Sequence, residues 1–326
     1  MRSVKADNAR HLLSITDLGR DEIAGVLSTA EEFEAIGERE IKKVPTLRGR
    51  TVVNLFYENS TRTRVSFEIA AKRLSADVIN VSSAASSVEK GESLRDTART
   101  LRALGADAIV LRHPAAGAPA FLARLTDACV INAGDGAHEH PTQALLDLYT
   151  VNRHFGSVDA LRVGIVGDIA HSRVARSGAL GFKCMGADVV LIAPPTLLPL
   201  GIEALGSRTT YDLDAELGSL DVLYVLRMQR ERHREPLLPS EREFWDGYAL
   251  TTERLAKLRP DAVVMHAGPM NRGVEIEWEA AESEVALIES QVSAGVAVRM
   301  AMLYLLMGGA AVPGGAGVPP AGEVAS

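Results

Sequence analysis

Ser60-Thr61-Arg62-Thr63-Arg64 gathers three hydroxyls and two guanidinium groups in five residues, between the apolar run Val52-Val53-Asn54-Leu55-Phe56 and a stretch with helical periodicity. A helix that starts there presents backbone N–H groups, hydroxyls and the positive end of its dipole, and a guanidinium offers phosphate a planar fork of donors. Phosphate binding is the chemistry that fits; an ordinary capped helix with a solvated basic face is the alternative. In His140-Pro141-Thr142-Gln143 the proline suits a first helical turn, and the i, i+3 spacing makes the imidazole and the amide neighbours on one face. An imidazole that donates to a carbonyl oxygen polarises it, and a glutamine amide can accept from an NH2 group. A helix cap competes with that reading as well. Arg173 and Arg227 suit a pair of forks on a dicarboxylate, and ion pairs with Asp168, Glu58 or Glu231 would equally explain them. Arg112-His113-Pro114 is weaker evidence, because an arginine after a buried strand can simply pair with a carboxylate and His113 reads as a packing residue. Lys90, in Glu89-Lys90-Gly91-Glu92, reads from its context as a solvated turn.

The elements that must position these groups follow from hydrophobic periodicity. Strands are predicted at Thr51–Phe56, Val78–Val81, Ala108–Leu111 and Cys129–Asn132, with helices at Thr61–Leu74, Ser93–Leu104 and Pro119–Thr126 between them. The second half predicts strands at Arg162–Val166, Val189–Ala193, Val222–Leu226 and Ala262–Met265, with helices at Ser172–Met185 and Thr251–Leu258. The fold class is α/β, with two similar-sized domains, each a mostly parallel sheet flanked by helices. A long amphipathic helix, Pro141–Phe155, closed by Gly156, is the expected connector, and a final helix is predicted over Glu282–Met307. Ligands of open parallel sheets bind beyond the carboxyl ends of the strands. Most of the eight strand-end segments supply an Arg, Lys or His there. Gly164-Ile165-Val166-Gly167-Asp168 lacks the full GxGxxG fingerprint of a dinucleotide site, and there is no Walker A, GxSxG or HExxH pattern.

Composition sets the limits. The chain has 326 residues, 47% hydrophobic and 24% charged, which is enough for two domains with substantial cores. Its formal charge of −7 gives no general attraction to nucleic acid or anionic lipid, so cationic chemistry must be local. Cys129 and Cys184 lack a CxxC or His-rich neighbourhood and read as buried free thiols, not zinc ligands or disulfide partners. No N-terminal apolar leader and no apolar run of membrane-spanning length is read, which makes the cytoplasm the expected location. Residues 308–326, rich in Gly, Ala and Pro, are expected to be a disordered tail.

Taken in order, Phe56-Tyr57-Glu58-Asn59-Ser60-Thr61-Arg62-Thr63, the Lys90 loop, Arg112-His113-Pro114, His140-Pro141-Thr142-Gln143, Arg227-Met228-Gln229 and Pro269 resemble the aspartate/ornithine carbamoyltransferase family. The resemblance runs from about Leu12 to Met307. Ser-Thr-Arg-Thr and His-Pro-x-Gln are common to the family and imply carbamoyl phosphate. Glu58, Arg227-Met228-Gln229 and His266-Ala267-Gly268-Pro269 resemble the aspartate branch rather than the ornithine branch, although Ala267 stands where many aspartate enzymes have proline.

The resemblance implies transfer of a carbamoyl group to L-aspartate in pyrimidine biosynthesis, in an interdomain cleft, without metal or cofactor. It implies that Ser60, Thr61, Arg62, Thr63 and Arg112 hold the phosphate, that Thr63, Arg112 and His140 polarise the carbamoyl C=O, and that Gln143, Gly268 and Pro269 orient its NH2. Arg173, Arg227 and Gln229 would take aspartate's carboxylates, and Lys90 with Ser86 would reach into the site of an adjacent subunit of a homotrimer. The domains implied are 1–140 for carbamoyl phosphate, a connecting helix at 141–156, 157–290 for aspartate and a returning helix at 291–307. Further assembly with regulatory chains or dihydroorotase is left open, and neither nucleic acid nor a membrane is an expected partner.

Overall fold

The computed structural model describes residues 11–82, 93–232, 237–238 and 240–308. Lys90, Ser86 and the expected C-terminal tail beyond Gly308 lie outside the described residues. Two compact units are present, one of residues up to Gly136 together with those from Ala294, the other Ala137–Ser293. The helix Pro141–Phe155 therefore groups with the second unit.

The first unit is built on a four-stranded parallel sheet of β1 (Thr51–Phe56), β2 (Asp77–Ser82), β3 (Ala108–His113) and β4 (Cys129–Asp135), in the order β2-β1-β3-β4. Val53, Leu55, Ile109, Leu111 and Val130, paired at alternating positions, line one face and share one core cluster, while Val52, Val110 and Ile131 are buried on the other, as a strand covered on both faces requires. The chain runs from β1 to β2 in one direction and then crosses to β3 on the other side of β1. The carboxyl ends of β1 and β3 thus flank the sheet's switch point, where neighbouring connections leave in opposite directions and open a crevice. The helix Ile288–Met307 returns the chain to this unit: Arg299, buried, donates to the Ser66 hydroxyl at 2.9 Å and lies over the Phe67 ring at 5.1 Å. Ser66 and Phe67 belong to the helix Thr61–Arg73, so the last helix of the chain backs the helix that follows β1.

The second unit carries β5 (Arg162–Val166), β6 (Asp188–Ile192), β7 (Arg208–Thr210), β8 (Val222–Val225) and β9 (Val263–Met265), all parallel, in the order β7-β6-β5-β8-β9. Its switch point lies between β5 and β8 by the same argument. Val166, Ile192, Leu223, Val225 and Val264 share its core.

Four expectations need correction. β7 has no counterpart among the expected strands, because three polar residues at a sheet edge carry no hydrophobic signature. The last helix begins at Ile288 and not at Glu282, because residues 285–287 bond to Val264 of β9 instead: Val264 N–H donates to Val285 and Leu287 N–H to the Val264 carbonyl. That helix also meets the length and apolarity of a membrane span, contrary to the expectation that no run would. Its buried Gln291 and Arg299, each with polar partners, are the pattern of a core helix. Neither cysteine forms a disulfide among the described residues; Cys129 is buried, its thiol pushed up to about 12 by burial, and Cys184 is only half-buried.

Candidate active site

In the first unit Ser60 is the N-cap of the helix Thr61–Arg73, extended at φ −156°, and its carbonyl accepts from Arg64 N–H at 3.1 Å. The preceding amides point out of the helix's N-terminal end, and no acidic residue occupies the first turn to compete for an anion. Thr61 and Arg62 are exposed, while Thr63 is buried beneath them. Ser60 makes no side-chain cap bond, which leaves the plain capping alternative without its usual signature.

Arg112 lies at the neighbouring strand end, in register with Phe56 of β1. The β3–β4 ladder shifts here: Leu111 pairs with Asn132 but His113 pairs with Asp135, so β4 holds one extra residue opposite Arg112. A bulge of this kind bends the strand and re-aims the side chain facing it. Arg112 Nη1 donates to the Ala133 carbonyl within that bulge at 3.2 Å, and Nε lies 3.6 Å from the Glu58 carboxylate. The turn beyond is fixed by Asp135, which accepts from Asn132 Nδ2 at 2.9 Å and Gly117 N–H at 2.6 Å, and by His113 Nδ1, which accepts from Ala115 N–H at 2.9 Å. His113 is therefore a packing and turn residue as expected, edge-on to Tyr57 at 4.8 Å, and burial pushes its pKa down. Gly136 closes the turn at φ +48°, where a Cβ would meet Ala116 N at 2.9 Å and Pro114 O at 3.1 Å.

In the second unit His140 is the N-cap of Pro141–Phe155 and is buried. Its N–H donates to Ser177 Oγ at 2.8 Å, and Ser177 in turn donates to Glu139 at 2.9 Å. One turn on, Gln143 Nε2 donates to Asp147 Oδ1 at 3.0 Å. Arg173 opens the helix Arg173–Cys184 after β5 and is 6% exposed. Arg227 follows β8, on the other side of the switch point, with Nη1 and Nη2 donating to Glu231 at 2.6 and 3.2 Å. The ion pair with Glu231 anticipated as an alternative is thus real, yet it leaves Arg227 Nε buried without a hydrogen-bond partner.

Asp168, fully buried at the end of β5, joins these loops: it lies 2.7 Å from His171 Nδ1 and accepts from Gln229 N–H at 3.2 Å. The loop after β9 is tied in by Glu275, which accepts from Met228 N–H at 3.4 Å and from Asn271 N–H, while Asn271 Nδ2 donates to the Met228 carbonyl at 3.2 Å. Within that loop Gly268 N–H donates to His266 Nδ1 at 2.8 Å, and the Gly268–Pro269 peptide is cis.

Each unit therefore gathers its own share of the expected residues. Ser60 to Thr63 and Arg112 meet at the switch point of the first sheet. Arg173, Arg227, Gln229, Gly268 and Pro269 occupy strand ends of the second sheet, and His140 and Gln143 open a helix of that same unit. Sequence reading missed Asp147, Tyr224, Gln291 and Glu275 among the groups that hold them, and offered Asp168 only as an ion-pair partner for the arginines. An aspartate one turn beyond Gln143 was the only local signal among them.

Comparison with known proteins bears on the whole chain. Residues 10–153 match the family model of the aspartate/ornithine carbamoyltransferase carbamoyl-P binding domain, and residues 159–306 match that of the Asp/Orn binding domain. The aspartate carbamoyltransferase catalytic subunit of Acidothermus cellulolyticus is 57% identical over 317 residues, covering 97% of this chain and 98% of that protein. The corresponding subunit of Thermobifida fusca is 57% identical over 311 residues, covering 95% and 99%. Among solved structures, aspartate transcarbamoylase from Trypanosoma cruzi in complex with N-(phosphonacetyl)-L-aspartic acid superposes with a TM-score of 0.83 at 30% identity, covering 92% of this chain and 97% of that one. Matched over both halves and at this identity, the chain belongs to the aspartate/ornithine carbamoyltransferase family.

Proposed function

We propose that the chain transfers the carbamoyl group of carbamoyl phosphate to the amine of L-aspartate, giving N-carbamoyl-L-aspartate and inorganic phosphate. The observation that carries this reading is the chemistry of the two switch points: a hydroxyl-rich helix start beside Arg112 in one sheet, and paired arginine loops after β5 and β8 in the other. Ser60, Thr61, Arg62 and Thr63 take the phosphate, and Arg112 takes both phosphate and carbamoyl oxygen. Thr63, Arg112 and His140 donate to that oxygen as it gains negative charge. Gln143 and the carbonyls of Gly268 and Pro269 accept from the NH2. Arg173, Arg227, Gln229 and Lys90 hold the aspartate carboxylates. The amine nitrogen bonds to the carbamoyl carbon, the C–O bond to phosphate breaks, and the amine proton leaves with the phosphate. The protein's part is orientation and fixed dipoles.

Aspartate as acceptor is supported by the relatives at 57% identity, which are aspartate enzymes. The reading extends to a homotrimer in which Lys90 serves a neighbouring subunit's site, and to an early step of pyrimidine formation. Phosphate release from carbamoyl phosphate, measured with aspartate, ornithine and other amino acids, is expected to depend on aspartate; indifference to aspartate refutes the assignment. Arg62→Ala should weaken carbamoyl phosphate and Arg227→Ala aspartate, each by more than about tenfold, or roughly 1.4 kcal/mol. Mixing Lys90→Ala with Arg227→Ala subunits should restore part of the activity if the sites are shared between chains.

A further inference from the structure

We infer that Asp147 is the positioning residue that sets which end of the Gln143 amide faces the substrate, and that it couples this amide, through Gln291, to the loop bearing Gly268 and Pro269. The inference rests on the carbamoyl transfer reading above. Asp147 is fully buried in the second unit, on the same helix as Gln143 and one turn further along. Three side chains donate to it: Gln143 Nε2 to Oδ1 at 3.0 Å, Gln291 Nε2 to the same Oδ1 at 2.7 Å, and Tyr224 Oη to Oδ2 at 2.7 Å. Burial, and next the Asp147 charge, push the Tyr224 pKa well up, so the phenol stays protonated and stays a donor.

An amide has one donating and one accepting end, and only its partners decide which way round it sits. Asp147 Oδ1, which faces both amide nitrogens, is the acceptor of the pair. Facing Asp147, Gln143 turns its NH2 inward, which leaves Oε1 as the end that meets a ligand. An outward oxygen accepts from a carbamoyl NH2; an outward NH2 would oppose it. The same carboxylate fixes Gln291, because Nε2 is committed to Asp147 and Oε1 then accepts from His266 N–H at 2.9 Å. His266 in turn holds Gly268 N–H on its ring. One buried carboxyl group thus sets both acceptors of the NH2 group, across partners 4, 77 and 144 residues away in sequence.

Acetyl phosphate, with CH3 in place of NH2, separates this role from a merely structural one. Calorimetric titration of the intact wild-type protein with carbamoyl phosphate, acetyl phosphate and inorganic phosphate gives the starting discrimination. Asp147→Leu should cut carbamoyl phosphate affinity at least about tenfold while changing acetyl phosphate and phosphate by less than about threefold. Its effect should shrink in a Gln143→Ala background to the part carried by the Gln291 limb. If Asp147→Leu does not fold, the Asp147→Leu/Tyr224→Phe pair, which leaves no orphaned phenol, is read in the same way. Gln291→Ala tests the loop limb and should cost discrimination several-fold. Parallel loss of all three ligands, or discrimination kept in folded Asp147 variants, overturns the inference. A wild-type protein that ignores carbamoyl phosphate would instead overturn the functional reading.

Discussion

Replacing Glu231 by alanine should weaken aspartate and spare carbamoyl phosphate. Glu231 grips Arg227 end-on through both Nη atoms, which fixes the direction of the guanidinium, while Nε is buried without a hydrogen-bond partner. Burial raises the Glu231 pKa, but the Arg227 guanidinium outweighs it and holds the carboxyl below its usual range, so the clamp is closed at neutral pH. The pair is 26% and 53% exposed, and its electrostatic worth is about 0.2–1 kcal/mol, toward the low end because solvent screens it. The larger effect is order. An arginine released from its clamp regains up to about 2 kcal/mol of rotamer freedom that substrate binding must then remove. A total of about 1–2 kcal/mol corresponds to a rise of roughly five- to thirty-fold in the KM for aspartate. Steady-state kinetics at saturating carbamoyl phosphate measures it, with the KM for carbamoyl phosphate as the internal control. An unchanged or lower KM for aspartate, or equal changes in both constants, would refute the idea that Glu231 positions Arg227.

Thr63→Val keeps the buried shape and deletes one hydroxyl donor, so kcat should fall on the order of a hundredfold with the melting temperature little changed. His113 has its pKa lowered below its ordinary value by burial, so as pH falls the unfolded chain binds that proton first. Its contribution to stability is present above about pH 6.5 and is lost as pH drops through the folded value; His113→Gln should flatten the slope of denaturant stability between about pH 7 and pH 5. Gly136→Ala forces a Cβ onto the Ala116 amide at positive φ and should cost about 1–3 kcal/mol in urea unfolding, with loss of activity through the Arg112 turn.

Much of this architecture is legible in the sequence because parallel strands, buried on both faces, write themselves as β-branched runs, and because the polar residues that interrupt those runs fall at strand ends. Arg112 and Arg227 are visible for that reason. What orients Arg112 is not: the bulge opposite it is one extra residue in β4 with no compositional mark, whereas Glu231, four residues past Arg227, is offered by the sequence as an ion-pair partner. Lone buried polar residues are equally silent. Tyr224 reads as part of an apolar strand and Gln291 as a residue of an apolar helix, and their common partner Asp147 becomes apparent only when the fold gathers them.

The second unit is an insertion in the first, since the chain leaves one after Gly136 and re-enters it at Ala294. During synthesis at about 5–20 residues per second, roughly 8 to 30 seconds separate those two points on the ribosome. Throughout that interval the helix of Ser60 to Thr63 lacks Arg299, its buried support at Ser66 and Phe67. The half of the protein made second can thus complete its core first, and the helix start at Ser60 to Thr63, encoded near the start of the message, is among the last parts of the chain to gain its support.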